Sequence, residues 1–183
     1  VMCVVGGFQN VAALLASPAD SISGMTGADL VAAKVKRMVS QGGSYGRLAS
    51  GSDFNFAESP ADTTFSLANW PASVPIVFMG SWGERVYSGP AGSGTTNPYK
   101  RAYDLFPYKQ GSTRQSWDPL ATLYAVRGLS AGFVMAAGGG MQRFDPVTGH
   151  NDFDPLTPGR DHVIYSAPGA NLAAALNSLM TAP

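Results

Sequence analysis

In the stretch RQSWDPLATLYAVR (114–127), one carboxylate, Asp118, stands between an indole and a proline at the head of an apolar helical pattern. A carboxylate there can satisfy the free N–H groups of a helix start, a place that Pro119 also suits. It can instead reach past the helix end as a ligand. Trp117 offers a flat surface for packing or for stacking on a ring. A second group of polar residues is SDFNF (52–56). Asp53 and Asn55 are two apart, so in an extended segment both leave one face and Phe54 leaves the other. An acid beside an amide suits vicinal hydroxyls, since both accept and the amide also donates. The alternative is a turn held by the Asp and Asn side chains. A third place is VGGFQN (5–10), whose two glycines allow either a tight turn or a close approach of backbone to ligand.

Other chemistries find less support. The glycines lack the spacing of a dinucleotide fingerprint and no P-loop lysine follows them. A hydrolase triad finds poor support: GLSAG (128–132) has G-x-S-x-G spacing but follows a helical pattern, whereas a nucleophile elbow follows a strand. His150 and His162 lack metal-ligand spacing and read as structural. With 13% charged residues and a formal net charge of zero, the chain carries no basic footprint for nucleic acid and no polybasic patch for a membrane. No apolar run reaches the roughly 18 residues of a spanning helix. The single cysteine, Cys3, cannot form an internal disulfide, and its place in a strand-like run predicts burial.

The elements that must position these groups alternate between strand and helix. Residues 1–5 (VMCVV) read as a fully buried strand. FQNVAALLASPAD (8–20) reads as a helix ended at Pro18. Thr26 and Asp29 have capping-box spacing before a helical pattern through Leu30, Val31, Val35 and Met38, closed by QGG at 41–43. Further helices are expected over 59–70, 98–106 and 117–127, with a strand in VPIVFMG (74–80) and a loop-rich span over 81–98. Residues 128–161 predict a long excursion or weak hairpins, DHVIYSAP a late strand, and GANLAAALNSLM a final amphipathic helix. Alternating strands and helices in 183 residues predict one α/β domain with an open, mostly parallel sheet flanked by helices.

In their order and separations, these places resemble the inosine/uridine-preferring nucleoside hydrolase family. The match runs through VVGGFQNVAALLASPADSISGMTGADLVAAKVKRMVSQGGSYG, continues in SDFNF and PIVF, and returns at NPYKRAY and SWDPLATLYAVRG. The resemblance implies a Rossmann-like open sheet and hydrolysis of the N-glycosidic bond of ribonucleosides to ribose and free base. It implies a calcium ion at the bottom of the pocket, with Asp118 and the backbone carbonyl of Val5 as ligands. Asp53 and Asn55 would hold the ribose hydroxyls, and Asn55 would also face the oxocarbenium-like sugar. Gln41, where the family often has Met, would contact substrate, and Trp117, where many members carry His, would stack on the leaving base.

The family's aspartate segment, D-x-D-x-x-x-D-D, is absent from these residues. The abrupt start at Val1 predicts a domain incomplete at its N-terminus. Calcium is therefore expected only if that cluster is supplied, by a missing segment or by a second chain. The partners expected are a small-molecule nucleoside, such a second chain and further copies of this one, with no nucleic acid and no membrane. The alternative is a hydrolase-like protein that binds or stores without catalysis. Sparse charge and Gly/Ser/Thr-rich loops lean toward a secreted protein, and the compartment is otherwise open.

Overall fold

A computed structural model of the chain describes residues 1–45, 53–89, 96–106 and 113–181. The strands are β1 (Met2–Val4), β2 (Met38–Ser40), β3 (Ile76–Phe78), β4 (Tyr87–Ser88), β5 (Arg114–Gln115), β6 (Phe133–Phe144), β7 (Asn151–Asp154) and β8 (Asp161–Ser166). The helices are α1 (Gln9–Ala16), α2 (Gly27–Lys34), α3 (Phe54–Ala57), α4 (Pro60–Asn69), α5 (Pro98–Leu105), α6 (Trp117–Arg127) and α7 (Leu172–Thr181). Six strands form one sheet in the order β1-β2-β3-β8-β6-β7, and β4 pairs with β5 in a small separate ribbon. β1, β2, β3 and β8 run parallel, whereas β6 and β7 are antiparallel additions at one side. Among the described residues no helix is long and apolar enough to cross a membrane.

Alternation along the central strands makes two cores. Met38, Ile76, Phe78 and Val163 point to one face, where they meet Val11 and Leu15 of α1, Val31 of α2 and Phe56 of α3. Val39, Val77 and Ile164 point to the other, against Leu120, Leu123 and Tyr124 of α6 and Leu172 and Leu176 of α7. Both faces of the parallel strands are thus covered by helices, which is what continuous apolar strand sequences demand. The predicted open, mostly parallel α/β sheet is observed.

Three local expectations are corrected. The helix after Thr26 does not run on to the glycines: it stops at Lys34, and residues 38–40 form the fully buried strand β2. A three-residue strand has too few positions to break the helical period that precedes it. Thr26 does cap α2, its hydroxyl oxygen accepting the Asp29 N–H at 3.2 Å. Residues 53–56 are not extended: Asp53 caps the four-residue helix α3. Cys3 is exposed, because β1 lies at the sheet edge and Val1, Cys3 and Val5 face outward while Met2 and Val4 pack on the core. The excursion at 128–161 resolves into the β6–β7 hairpin, whose β6 is twelve residues long. The loop at 44–52 and the span 81–98 lie partly outside the described residues.

Candidate functional site

The parallel strands β1, β2 and β3 deliver Val5, Gln41 and Ser81 just beyond their carboxyl ends, the place where open α/β sheets bind ligands. Those three residues line a cavity of about 500 Å³ together with Asp53, Phe54 and Asn55 from the start of α3, and Trp117 and Asp118 from the start of α6. Ser44, Glu84 and Arg114 complete the lining. The residues singled out in the sequence, Val5, Gln41, Asp53, Asn55, Trp117 and Asp118, are therefore brought to one cavity. A second, more apolar hollow of about 480 Å³ lies beside α5, α6 and α7 and shares Asp118.

Each wall is held by local bonds. The Asp53 carboxylate accepts the Phe56 N–H at 3.1 Å and so fixes the entry into α3. The same turn brings Phe54 and Asn55 round to the cavity, whereas Phe56 is fully buried beneath it. The Asn55 side-chain amide donates to the Gln41 main-chain oxygen at 2.8 Å and to the Gln41 side-chain oxygen at 2.5 Å. The Gln41 amide nitrogen donates in turn to the Gly80 carbonyl at 3.4 Å. Gln41 is thus engaged at both ends of its side chain, and the carbonyl end of Asn55 is the end left for a ligand. Ser44 is clamped from far away: its N–H donates to the Asn151 side-chain oxygen at 2.9 Å, and its carbonyl accepts from the Asn151 amide at 3.0 Å.

On the α6 side the Trp117 indole N–H donates to the Ser81 carbonyl at 3.3 Å, which fixes the ring at the cavity. The cap position of α6 is Ser116 and not Asp118. Asp118 sits in the first turn, lines the cavity and makes no side-chain hydrogen bond among the described residues, so the capping alternative is not what is observed. Burial pushes the Asp118 carboxyl above the usual range, and the Arg114 guanidinium opposes the shift. Burial also raises Asp53, against the backbone N–H groups of Phe56, Gly43 and Asn55.

No family model and no curated protein matches the sequence. Solved structures do. A plant nucleoside hydrolase superposes with a TM-score of 0.63 at 17% identity, covering 99% of this chain and 62% of that one. The inosine–uridine preferring nucleoside hydrolase of Bacillus anthracis superposes with a TM-score of 0.55 at 14% identity, covering 97% of this chain and 58% of that one. The chain has the nucleoside-hydrolase fold. It spans about three fifths of the length of those two proteins. At such identities the likeness establishes the fold, and the chemistry has to be argued from the cavity.

Set on the nucleoside-hydrolase fold, the cavity offers three carboxylates, one amide oxygen, two aromatic side chains and one cation. Phe54, Ser44, Ser81, Glu84 and Arg114 carry no local sequence signal for a site. An extended 53–56 would put Phe54 on the opposite face from Asp53, and only the helical start of α3 brings all three neighbours round together. Neither histidine lines the cavity. The donors also bear on calcium, which takes roughly six to eight oxygen ligands. Asp118 and the Val5 carbonyl are too few, and among the described residues no three Asp, Glu, His or Cys side chains group closely enough to hold one ion. The described residues do not by themselves make a calcium site.

Proposed function

We propose that the chain forms the sugar- and base-facing part of a nucleoside N-ribohydrolase, which splits the N-glycosidic bond of ribonucleosides with water to give ribose and free base. The observation that carries the proposal is the convergence of Asp53, Asn55, Trp117 and Asp118 on one cavity at the carboxyl ends of parallel strands.

The chemistry follows from the bond. Its cleavage builds positive charge on the ribose ring. The Asn55 carbonyl, held in place through its nitrogen, is a fixed dipole whose negative end meets that charge. Gln41 acts through Asn55 as a positioning residue. Asp53 accepts from the ribose hydroxyls at a point set by its bond to the Phe56 N–H. Trp117 and the exposed Phe54 give the ribose and base apolar surfaces to lie against, since Phe54 keeps 79% of its surface accessible.

Calcium belongs to this proposal only for a particle in which further carboxylates join Asp118 and the Val5 carbonyl. The donor types are those calcium prefers, hard oxygens of mixed charge. With no hydrogen bond to the Asp118 carboxylate among the described residues, both of its oxygens are left for such a role.

The test is release of free base and reducing sugar from inosine and uridine by the purified protein, with and without a calcium chelator, beside calcium content by mass spectrometry. Cleavage suppressed by the chelator supports the reading, and Asp118→Ala is expected to abolish calcium binding. Unchanged metal content in that variant would overturn the ligand assignment. A second reading, a protein that binds nucleosides without cleaving them, is favoured by the incomplete donor set. Nucleoside binding with no base released would select it.

A further inference from the structure

Breaking an N-glycosidic bond separates charge. The sugar carbon loses the bonding pair and becomes cationic, while the ring nitrogen keeps the pair and becomes anionic. Asp53, Asn55 and Asp118 can answer the cationic half. The anionic half needs a hydrogen-bond donor, and among the described residues that line the cavity Arg114 is the one cation.

Its placement is built. Arg114 lies in β5, where Ser88 of β4 is its antiparallel partner. Its guanidinium carbon sits 4.1 Å from the centre of the Phe106 ring and 5.6 Å from that of the Trp117 ring. Stacking on rings holds the guanidinium plane and leaves its edge of N–H groups free to donate. The carboxylate of Asp118 is close enough to feel its charge, although the two make no ion pair within 4 Å. Arg114 is therefore not locked in a salt bridge with the acid beside it. A base stacked on Trp117 would have the guanidinium at its rim.

We propose that Arg114 is a catalytic residue that receives the departing base, its N–H groups donating to the ring-edge nitrogen or oxygen on which the negative charge collects. The inference rests on the hydrolysis proposed above. In the step, the C1′–N pair goes to the base, water oxygen bonds to C1′, and the proton released from that water ends on the base; nucleoside and water give ribose and neutral base. The guanidinium takes part as a fixed cation, its charge spread over three nitrogens. Its contribution is charge and geometry, not proton transfer. The substrates it fits are nucleosides whose base carries an acceptor at the edge, such as a purine ring nitrogen or a pyrimidine 2-oxygen.

The experiment compares the full protein with Arg114→Gln and Arg114→Lys on two substrates, inosine and p-nitrophenyl riboside. Nitrophenolate is a stable anion at neutral pH and needs no donor, so its release reports the sugar half of the site and the folded fraction together. Arg114→Gln is expected to lower kcat on inosine roughly 100-fold, the scale for losing one fixed donor to a developing anion. On p-nitrophenyl riboside the same variant should fall less than about threefold. Arg114→Lys should recover part of the inosine activity. Equal loss on both substrates in both variants, or no loss on inosine, would overturn the assignment to Arg114. Failure of the unaltered protein to cleave either substrate would instead overturn the proposed hydrolysis.

Discussion

The Asn55 side-chain nitrogen lies 2.8 Å from the main-chain oxygen of Gln41, and that bond decides which end of the amide meets a ligand. Removing the amide should therefore cost catalysis more than binding. Asn55→Ala is expected to lower kcat roughly 100-fold, as for other fixed dipoles at a charged transition state. Gln41→Leu leaves the main-chain acceptor in place, so a smaller fall is expected. Steady-state kinetics on inosine with both variants check the order, and a Gln41 variant worse than the Asn55 variant would contradict it.

Asp53→Asn should separate stability from function. Burial raises the Asp53 carboxyl in the folded chain, so the folded state binds its proton more tightly than the unfolded chain does. The sign follows: Asp53 costs nothing at pH values where both states are protonated, and it lowers stability as pH rises through the unfolded and then the raised folded pKa. Asparagine cannot ionise and can still accept the Phe56 N–H. The variant is expected to melt higher than the parent at pH 7, with the gain shrinking in acid, and to lose activity. Thermal unfolding at pH 4 and pH 7 measures both arms.

Phe54 and Phe56 are two residues apart and should behave as opposites. Phe56 is fully buried and meets the rings of Phe8, Phe78 and Phe144 at centroid distances of 5.4, 6.0 and 5.6 Å. Phe56→Ala is expected to cost about 3–5 kcal/mol. Phe54 is largely exposed at the cavity, so Phe54→Ala should change stability by no more than about 0.5 kcal/mol while raising KM. Denaturant melts and nucleoside titrations test the pair.

Gly43 carries φ +89°, and a Cβ there would lie 2.1 Å from the Tyr45 hydroxyl and 2.4 Å from its ring. Gly43→Ala is expected to destabilise by about 1–3 kcal/mol, the scale for a non-glycine residue in a disfavoured backbone region. It should also weaken nucleoside binding, because Gln41 and Ser44 flank the turn and line the cavity. A melt and a binding isotherm on one preparation report both effects.

Much of the fold is legible in residue order, where punctuation is strong. The helix expected over 117–127 is α6 (Trp117–Arg127), and Pro60 and Pro98 open α4 and α5 as prolines in a first turn should. β2 is hidden because its three residues extend an apolar stripe that a helix already explains. β6 looks like loop because GGG at 138–140 has the composition of a breaker. In the sheet Gly140 is needed for contact, since a Cβ there would lie 2.6 Å from the Phe153 ring and 2.5 Å from the Asp154 carbonyl.

The site divides along the same line. Residues at strand and helix ends, Val5, Gln41, Asp53, Asn55, Trp117 and Asp118, stand beside local signals and are legible. Ser44 depends on Asn151 and Arg114 on a two-residue ribbon, and such long-range pairings leave no mark within a short window.

The clamp of Asn151 on Ser44 also sets a timetable. The two residues are 107 positions apart, and β3 likewise waits for β8 before its second edge is paired. A ribosome that has released the chain only as far as residue 140 has made every residue of the cavity lining, yet the loop after β2 still lacks its anchor. Contacts so distant in sequence form slowly, because a long loop must close before they are rewarded. The cavity wall at Ser44 is therefore completed late in the life of each new molecule, when the β6–β7 hairpin docks.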